Sequence, residues 1–115
     1  MKRTLIVTMS ALALLAFAGA ASAQDAKVEK GKAVYAAQKC AMCHSIDGKG
    51  NAKGPLDGVG SKLTAAEIRS WITEPAAMAA KAKADRKPAM LTKFASLPKD
   101  DIDALVAYLS SLKKK

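Results

Sequence analysis

The sequence is poor in the residues that most often build metal and redox sites. Its 115 residues include one histidine, His44, and two cysteines, Cys40 and Cys43. A structural zinc site takes four ligands, almost always cysteine or histidine, and only three such residues exist here. The same count excludes a metal centre with two histidine ligands from one chain. Two cysteines also limit the chain to one disulfide, so a disulfide-rich scaffold is excluded.

Acidic residues are missing from the first 23 positions. This segment starts with the basic Lys2 and Arg3, continues as an uncharged apolar run from Leu5 to Ala18, and ends in Ala21-Ser22-Ala23. A helix that spans a bilayer needs about 20 apolar residues, and this run is shorter. The last three residues of the segment have the A-x-A pattern of a signal-peptide cleavage site. An uncleaved anchor is the alternative. We expect a cleaved signal peptide over residues 1–23, a domain over residues 24–115, and no membrane insertion after cleavage.

Aromatic residues are also scarce, at 4% of the chain, whereas 50% is hydrophobic and 25% is charged, which is typical of one small globular domain. Basic residues outnumber acidic ones by 19 to 10, which gives a net charge of +9. Such a charge favours an acidic protein surface, nucleic acid or anionic lipid as the partner. Because export argues against nucleic acid, we expect an acidic partner protein and no nucleic acid.

The two cysteines and the histidine stand together in the segment Cys40-Ala41-Met42-Cys43-His44. In this C-x-x-C-H pattern two thiols form thioethers with a haem, and the adjacent imidazole binds the iron. A disulfide is the ordinary alternative in an exported protein, and a thioredoxin-type dithiol needs a strand-helix context that this chain lacks. The motif therefore predicts one covalent haem c, with Cys40 and Cys43 as attachment points and His44 as an axial ligand.

The second axial ligand has to come from outside this motif. It is a methionine, a lysine, or no protein group at all, since His44 is the only histidine. Met42 lies between the cysteines, and two other methionines belong to the predicted signal peptide. Met90 follows Pro88 in a stretch too broken for a long helix, whereas Met78 lies in an alanine-rich, helical stretch. The sequence favours Met90, with Met78, a lysine and an open position as alternatives.

Three helices are predicted from periodicity and helix-end signals: Asp25 to about Lys39, Thr64 to Thr73 with a T-x-x-E capping box, and Asp100 to about Leu112. In the first, Gly31 marks either a close helix crossing or a tolerated surface position. Trp71 is expected in the core, with its ring N–H directed to a haem propionate or a backbone carbonyl. Residues 45–62 hold five glycines and a proline and are predicted to form a long loop without regular structure.

These segments resemble a small class I cytochrome c of the bacterial periplasmic kind. The resemblance rests on C-x-x-C-H and on four further segments: Gly31-Lys32-Ala33-Val34-Tyr35, Gly54-Pro55-Leu56, Pro88-Ala89-Met90 and the helix from Asp101 to Leu109. It implies an all-α cytochrome c fold, with terminal helices crossing near Gly31 and Tyr108 and with loops and short helices around one haem. It also implies a periplasmic location, Met90 as the distal ligand, and a Pro55 carbonyl that accepts the ring N–H of His44.

An iron bound by histidine and methionine changes oxidation state without binding substrate, which predicts a one-electron carrier and not an enzyme. A haem enzyme or gas sensor with an open site, and a subunit fixed in one complex, are the alternatives. We expect a monomer that docks on an acidic redox partner; the basic residues near Met90 either form that docking surface or are a solvated face, and they are Lys81, Lys83, Arg86, Lys87 and Lys93.

Overall fold

The computed structural model describes residues 23–84, 90 and 92–114. Residues 23–37 form helix α1. The other elements follow in this order: a 3-10 turn at Cys40–Met42, strands β1 (Ser45–Ile46) and β2 (Lys49–Gly50), helices α2 (Val59–Lys62), α3 (Ala65–Thr73) and α4 (Pro75–Ala82), a second 3-10 turn at Thr92–Ser96, and helix α5 (Lys99–Ser110). The fold is mostly helical, as predicted. The predicted signal peptide lies outside the described residues, except for residue 23, and so do Arg86, Lys87 and Pro88.

Helices α1 and α5 cross at Gly31. This glycine is buried, and a Cβ atom added to it would collide with the carbonyl oxygen of Ala104 and lie 2.5 Å from Cβ of Tyr108. The rings of Tyr35 and Tyr108 meet edge to face beside the crossing, with centroids 5.8 Å apart. The close crossing predicted at Gly31 and Tyr108 is therefore confirmed, and the surface alternative for Gly31 is wrong.

The buried core lies where α1, α3, α5 and the second 3-10 turn meet. Among the described residues, eight apolar side chains form it: Val34, Ile68, Ile72, Phe94, Ile102, Leu105, Val106 and Leu109. The spacing of the four residues from α5 is the i, i+3, i+4, i+7 pattern from which that helix was predicted. Burial of this stripe holds α5 against the rest of the chain.

The start of α3 is set by its own side chains. The Thr64 hydroxyl accepts the N–H of Glu67 at 3.1 Å, and the Glu67 carboxylate accepts the N–H of Thr64 at 3.0 Å. This is the predicted capping box. The helix ends at Thr73, and Pro75 takes the first position of α4, where its missing N–H costs no hydrogen bond. The α5 N-terminus has no side-chain cap, because Pro98 precedes it, and Asp100 and Asp101 occupy its first turn.

The prediction of a structureless loop over residues 45–62 is wrong. Strands β1 and β2 pair antiparallel through the turn residues Asp47 and Gly48, whose φ angles are 52° and 80°. Two positive φ angles match the right-handed twist of a two-residue hairpin. Helix α2 follows further on, and its buried Gly60 donates its N–H to the Leu112 carbonyl at 2.9 Å.

No helix among the described residues combines the length and apolar character needed to cross a bilayer.

Candidate haem site

Both cysteines and the histidine lie on one tight turn. Lys39 ends the preceding segment in a left-handed conformation, with φ at 57° and ψ at 39°. The chain then folds back so that the Cys40 carbonyl accepts the N–H groups of Cys43 at 3.1 Å and of His44 at 3.0 Å. Three groups that can bind one cofactor are therefore held within a single turn of backbone.

The two thiols differ in exposure. Cys40 is partly buried, Cys43 is exposed, and no disulfide joins them. Burial raises the pKa of the Cys40 thiol, and the positive charge of Lys93 acts in the opposite direction. The side chain of Met42, between the cysteines, is 70% exposed to solvent. Cys43 is therefore open to a large cofactor, whereas Cys40 is partly covered by the fold.

The ring of His44 is half-buried and held by the backbone. Its Nδ1 atom lies 3.0 Å from the carbonyl oxygen of Gly54. A carbonyl only accepts hydrogen bonds, so Nδ1 carries the hydrogen and the ring's lone pair is on Nε2. In this tautomer Nδ1 is anchored to the backbone, and Nε2 is the nitrogen that can bind a metal. This is the usual arrangement in metal-binding histidines.

The acceptor of this bond is one residue earlier than the resemblance implied. Ser45 donates its N–H to the Gly54 carbonyl at 3.1 Å, and Leu56 donates to the Ser45 carbonyl at 2.8 Å, which makes Ser45 and Pro55 a parallel bridge. The Nδ1 atom of His44 is paired with the Gly54 carbonyl. The Pro55 carbonyl as acceptor is therefore wrong, and a supporting role of Pro55 in the haem pocket stays a prediction.

Two residues of the site were missed by sequence reasoning. Asn51 bonds the carbonyls of Ala41, Met42 and His44 with its backbone and side chain. Gly50 has φ at 109°, and a Cβ atom there would collide with the His44 carbonyl oxygen. The Asp47-Gly48 pair is typical of a hairpin turn and could have indicated the hairpin that brings both residues back to the turn. Nothing in the sequence marks their contacts with residues 41–44.

For the other predicted site residues, the described structure shows no contact that tests their roles. Met90 is partly buried and packs against the hydrophobic core. Met78 on α4 and Trp71 on α3 are also partly buried. Met90 as the distal ligand and Trp71 as a haem-pocket residue stay predictions.

The residues on the turn fit a haem. The thiols of Cys40 and Cys43 and the His44 imidazole in its metal-binding tautomer are the groups by which a covalent haem is attached and ligated on one side. Partly buried apolar side chains that pack on the core could line its faces: Leu56, Val59, Leu63, Met90 and Leu97. When bound, the haem supplies an iron that can accept and release one electron. Cys40 and Cys43 would attach the haem, and His44 would ligate its iron.

Comparison with known proteins agrees with this assignment. A family model described as cytochrome c matches residues 28–113, so the chain belongs to the cytochrome c family. Members of this family bind haem c covalently and generally transfer electrons.

One curated relative is cytochrome c oxidase subunit 2 of Alkalihalophilus pseudofirmus, which is 26% identical over 93 residues. The match covers 73% of this chain and 25% of that protein, so the chain spans about a quarter of the length of this relative. No solved structure matches the chain.

Proposed function

We propose that this protein is an exported single-haem electron carrier whose iron is bound by His44 and Met90. The observation that carries the proposal is the turn at residues 40–44, where two thiols and a backbone-anchored imidazole converge. The sequence has one C-x-x-C-H motif and two cysteines, which supports one haem. Cys40 and Cys43 form the thioethers.

Methionine ligation is what makes the protein a carrier and not an enzyme. With both axial positions filled, substrate has no access to the iron, and electrons pass through the haem edge to a docked partner. Met90 is favoured over Met78 because Met90 lies outside the helices and packs against the core, whereas Met78 is held within α4.

The decisive experiment is optical spectroscopy of the purified haem protein and two matched variants, Met90→Ala and Met78→Ala. We expect the ferric wild type to show the weak near-red charge-transfer band of iron–methionine bonding and to resist cyanide and carbon monoxide. Met90→Ala loses the band and binds both molecules rapidly, while Met78→Ala behaves as wild type. Rapid binding of either molecule by the wild type would instead indicate an open-site haem enzyme or sensor.

The export proposal rests on the segment before residue 24 and needs its own test. We expect the mature protein in the periplasmic fraction to begin at Gln24, which intact-mass measurement determines directly. A protein that retains residues 1–23 would contradict it.

We propose a terminal oxidase as the class of protein that accepts the electron. The reason is that the curated relative is a subunit of cytochrome c oxidase, and the match covers a quarter of that subunit. Exposed basic residues on and near α4 suit an acidic docking surface on such a partner. We expect the reduced protein to be oxidised by a purified cytochrome c oxidase at a rate that saturates with its concentration. Co-purification in fixed stoichiometry would instead indicate a permanent subunit.

A further inference from the structure

Asn51, the only asparagine in the chain, makes three hydrogen bonds to carbonyl groups of the haem-binding turn. Its backbone N–H lies 2.9 Å from the His44 carbonyl oxygen and 3.0 Å from that of Ala41. Its side-chain Nδ2 donates to the Met42 carbonyl at 3.0 Å. One residue thus satisfies three carbonyls of the turn that carries the thiols and the imidazole.

The same residue also holds the segment that anchors the histidine ring. The Oδ1 atom of Asn51 accepts the N–H of Lys53 at 3.0 Å, and the Asn51 carbonyl accepts the N–H of Gly54 at 3.2 Å. These bonds close a turn over residues 51–54. Gly54 is the last residue of this turn, and its carbonyl accepts the Nδ1 hydrogen of His44. Asn51 therefore fixes the chain on both sides of the Nδ1–H···O=C bond.

We propose that Asn51 is the positioning residue of the axial histidine, and that its side chain sets the strength of the bond between His44 and Gly54. The inference rests on the proposed function, since it assumes that His44 ligates iron. A stronger bond from Nδ1 makes the imidazole a better electron donor, which favours ferric iron, and a weaker bond favours ferrous iron. Asn51 has no net charge, so we assign its effect on the reduction potential to the geometry of the bond between His44 and Gly54.

The test compares three variants as haem proteins: Asn51→Ala, Asn51→Ser and Thr64→Ala. Alanine removes both side-chain bonds. Serine keeps an oxygen that can accept the N–H two residues on, although it is too short to reach Met42. Thr64→Ala removes the cap of α3 and is the matched control, because it costs stability without a hydrogen bond to residues 40–54 in the described structure.

We expect Asn51→Ala to raise the midpoint potential, so that the ferrous-to-ferric ratio at a fixed potential rises by about threefold. This is less than the about tenfold or greater loss of metal affinity or activity that follows when the direct hydrogen-bond partner of a metal ligand is removed, because Asn51 acts through Gly54. Asn51→Ser should fall between alanine and wild type, and Thr64→Ala should keep the wild-type potential. In the ferrous protein, the NMR signal of the His44 Nδ1 proton should move upfield in Asn51→Ala and its exchange with solvent should quicken.

Three results would overturn the proposal: a wild-type potential and Nδ1 signal in Asn51→Ala, the same potential shift in Thr64→Ala, or no recovery in Asn51→Ser. If Asn51→Ala does not accumulate with haem, the serine variant alone must show a raised potential and a weaker Nδ1 bond. Failure of the wild type to bind haem or to show histidine ligation would instead refute the proposed function, so the two failures are distinguishable.

Discussion

Position 31 has no room for a side chain larger than hydrogen. A Cβ atom there would collide with the Ala104 carbonyl, and Ala104 is itself fully buried. Because neither helix backbone can yield locally, we expect Gly31→Ala to separate α1 from α5 and to lower the free energy of unfolding by about 2–3 kcal/mol. Urea denaturation of the haem protein measures this loss.

Gly48→Ala is the control for this prediction. No atom lies within 4 Å of an added Cβ at position 48, but φ there is 80°. The cost is then limited to left-handed strain, about 1 kcal/mol. Equal losses in the two variants would show that backbone strain, and not collision between the helices, explains the effect at Gly31.

The hydroxyl of Tyr35 is buried and has no hydrogen-bond partner among the described residues. Burial, with a smaller effect of Cys40, raises its pKa to about 12 from the ordinary value of 10.0. The folded state therefore holds this proton more tightly than the unfolded state, so stability falls as the pH rises from about 10 to about 12. We expect Tyr35→Phe to lose less stability over this range and to be at least as stable as wild type at neutral pH.

Thermal melts of the two proteins at a series of pH values test this prediction. The pKa of Tyr108 is also raised by burial, so Tyr35→Phe should reduce the alkaline loss without abolishing it. Curves for wild type and variant that stay parallel from pH 8 to about 12 would contradict the prediction.

The residues of the site differ in how far the sequence reveals them. Cys40, Cys43 and His44 are adjacent along the chain, so their convergence needs only one turn of backbone. The role of Asn51 depends on the return of β2 to that turn, and the identity of Gly54 as acceptor depends on the direction of one carbonyl. Both are set by the way the hairpin returns the chain to the turn nine or ten positions later, which composition and periodicity do not encode.

At the scale of elements, an ion cluster joins α3 to α5. Asp103 accepts hydrogen bonds from Arg69 at 2.6 Å and from Lys99 at 2.9 Å. Lys99 and then Arg69 hold the pKa of this carboxyl below its usual value of 3.8. Because the folded-state pKa of Asp103 is lowered, its carboxylate stabilises the folded state at pH values above its usual pKa of 3.8. This contribution is lost as the pH falls through the folded-state pKa.

We therefore expect Asp103→Asn to be less stable than wild type at pH 7 and to lose less stability on acidification below pH about 4. Asp100→Asn is the matched control, since it removes the same charge from the first turn of the same helix. Melting temperatures between neutral pH and pH about 2 provide the measurement. An equally flattened acid limb in Asp100→Asn would show that net charge, and not the ion cluster, is responsible.

Elements whose signals are local were predicted well. Helix α3 starts and stops where its capping box and Pro75 require, and α5 follows its apolar stripe. The hairpin and α2 were missed because each strand has two residues and the helix has four, too few for any periodicity to show. The Asp47-Gly48 pair is the one local signal for the hairpin.

At the scale of the whole molecule, the proposed mature chain lacks Lys2 and Arg3, so its net charge is 17 − 10 = +7, and this charge should affect association more than stability. If the basic residues on α4 face the partner, replacing them should slow docking on an acidic oxidase at low salt. We expect the double variant Lys81→Gln, Lys83→Gln to reduce the association rate about tenfold at low ionic strength. The rates should converge near 1 M salt, where screening reduces the Debye length to about 3 Å.

The matched control is the double variant Lys27→Gln, Lys114→Gln, which removes the same charge from α1 and from the chain after α5. Stopped-flow oxidation of the reduced proteins by purified oxidase measures each rate as a function of salt. A loss confined to the α4 variant locates the docking surface there, because local charge pairs act within about one Debye length of the interface. Equal losses in both variants would mean that the overall field steers the encounter and that Lys81 and Lys83 are only a solvated face.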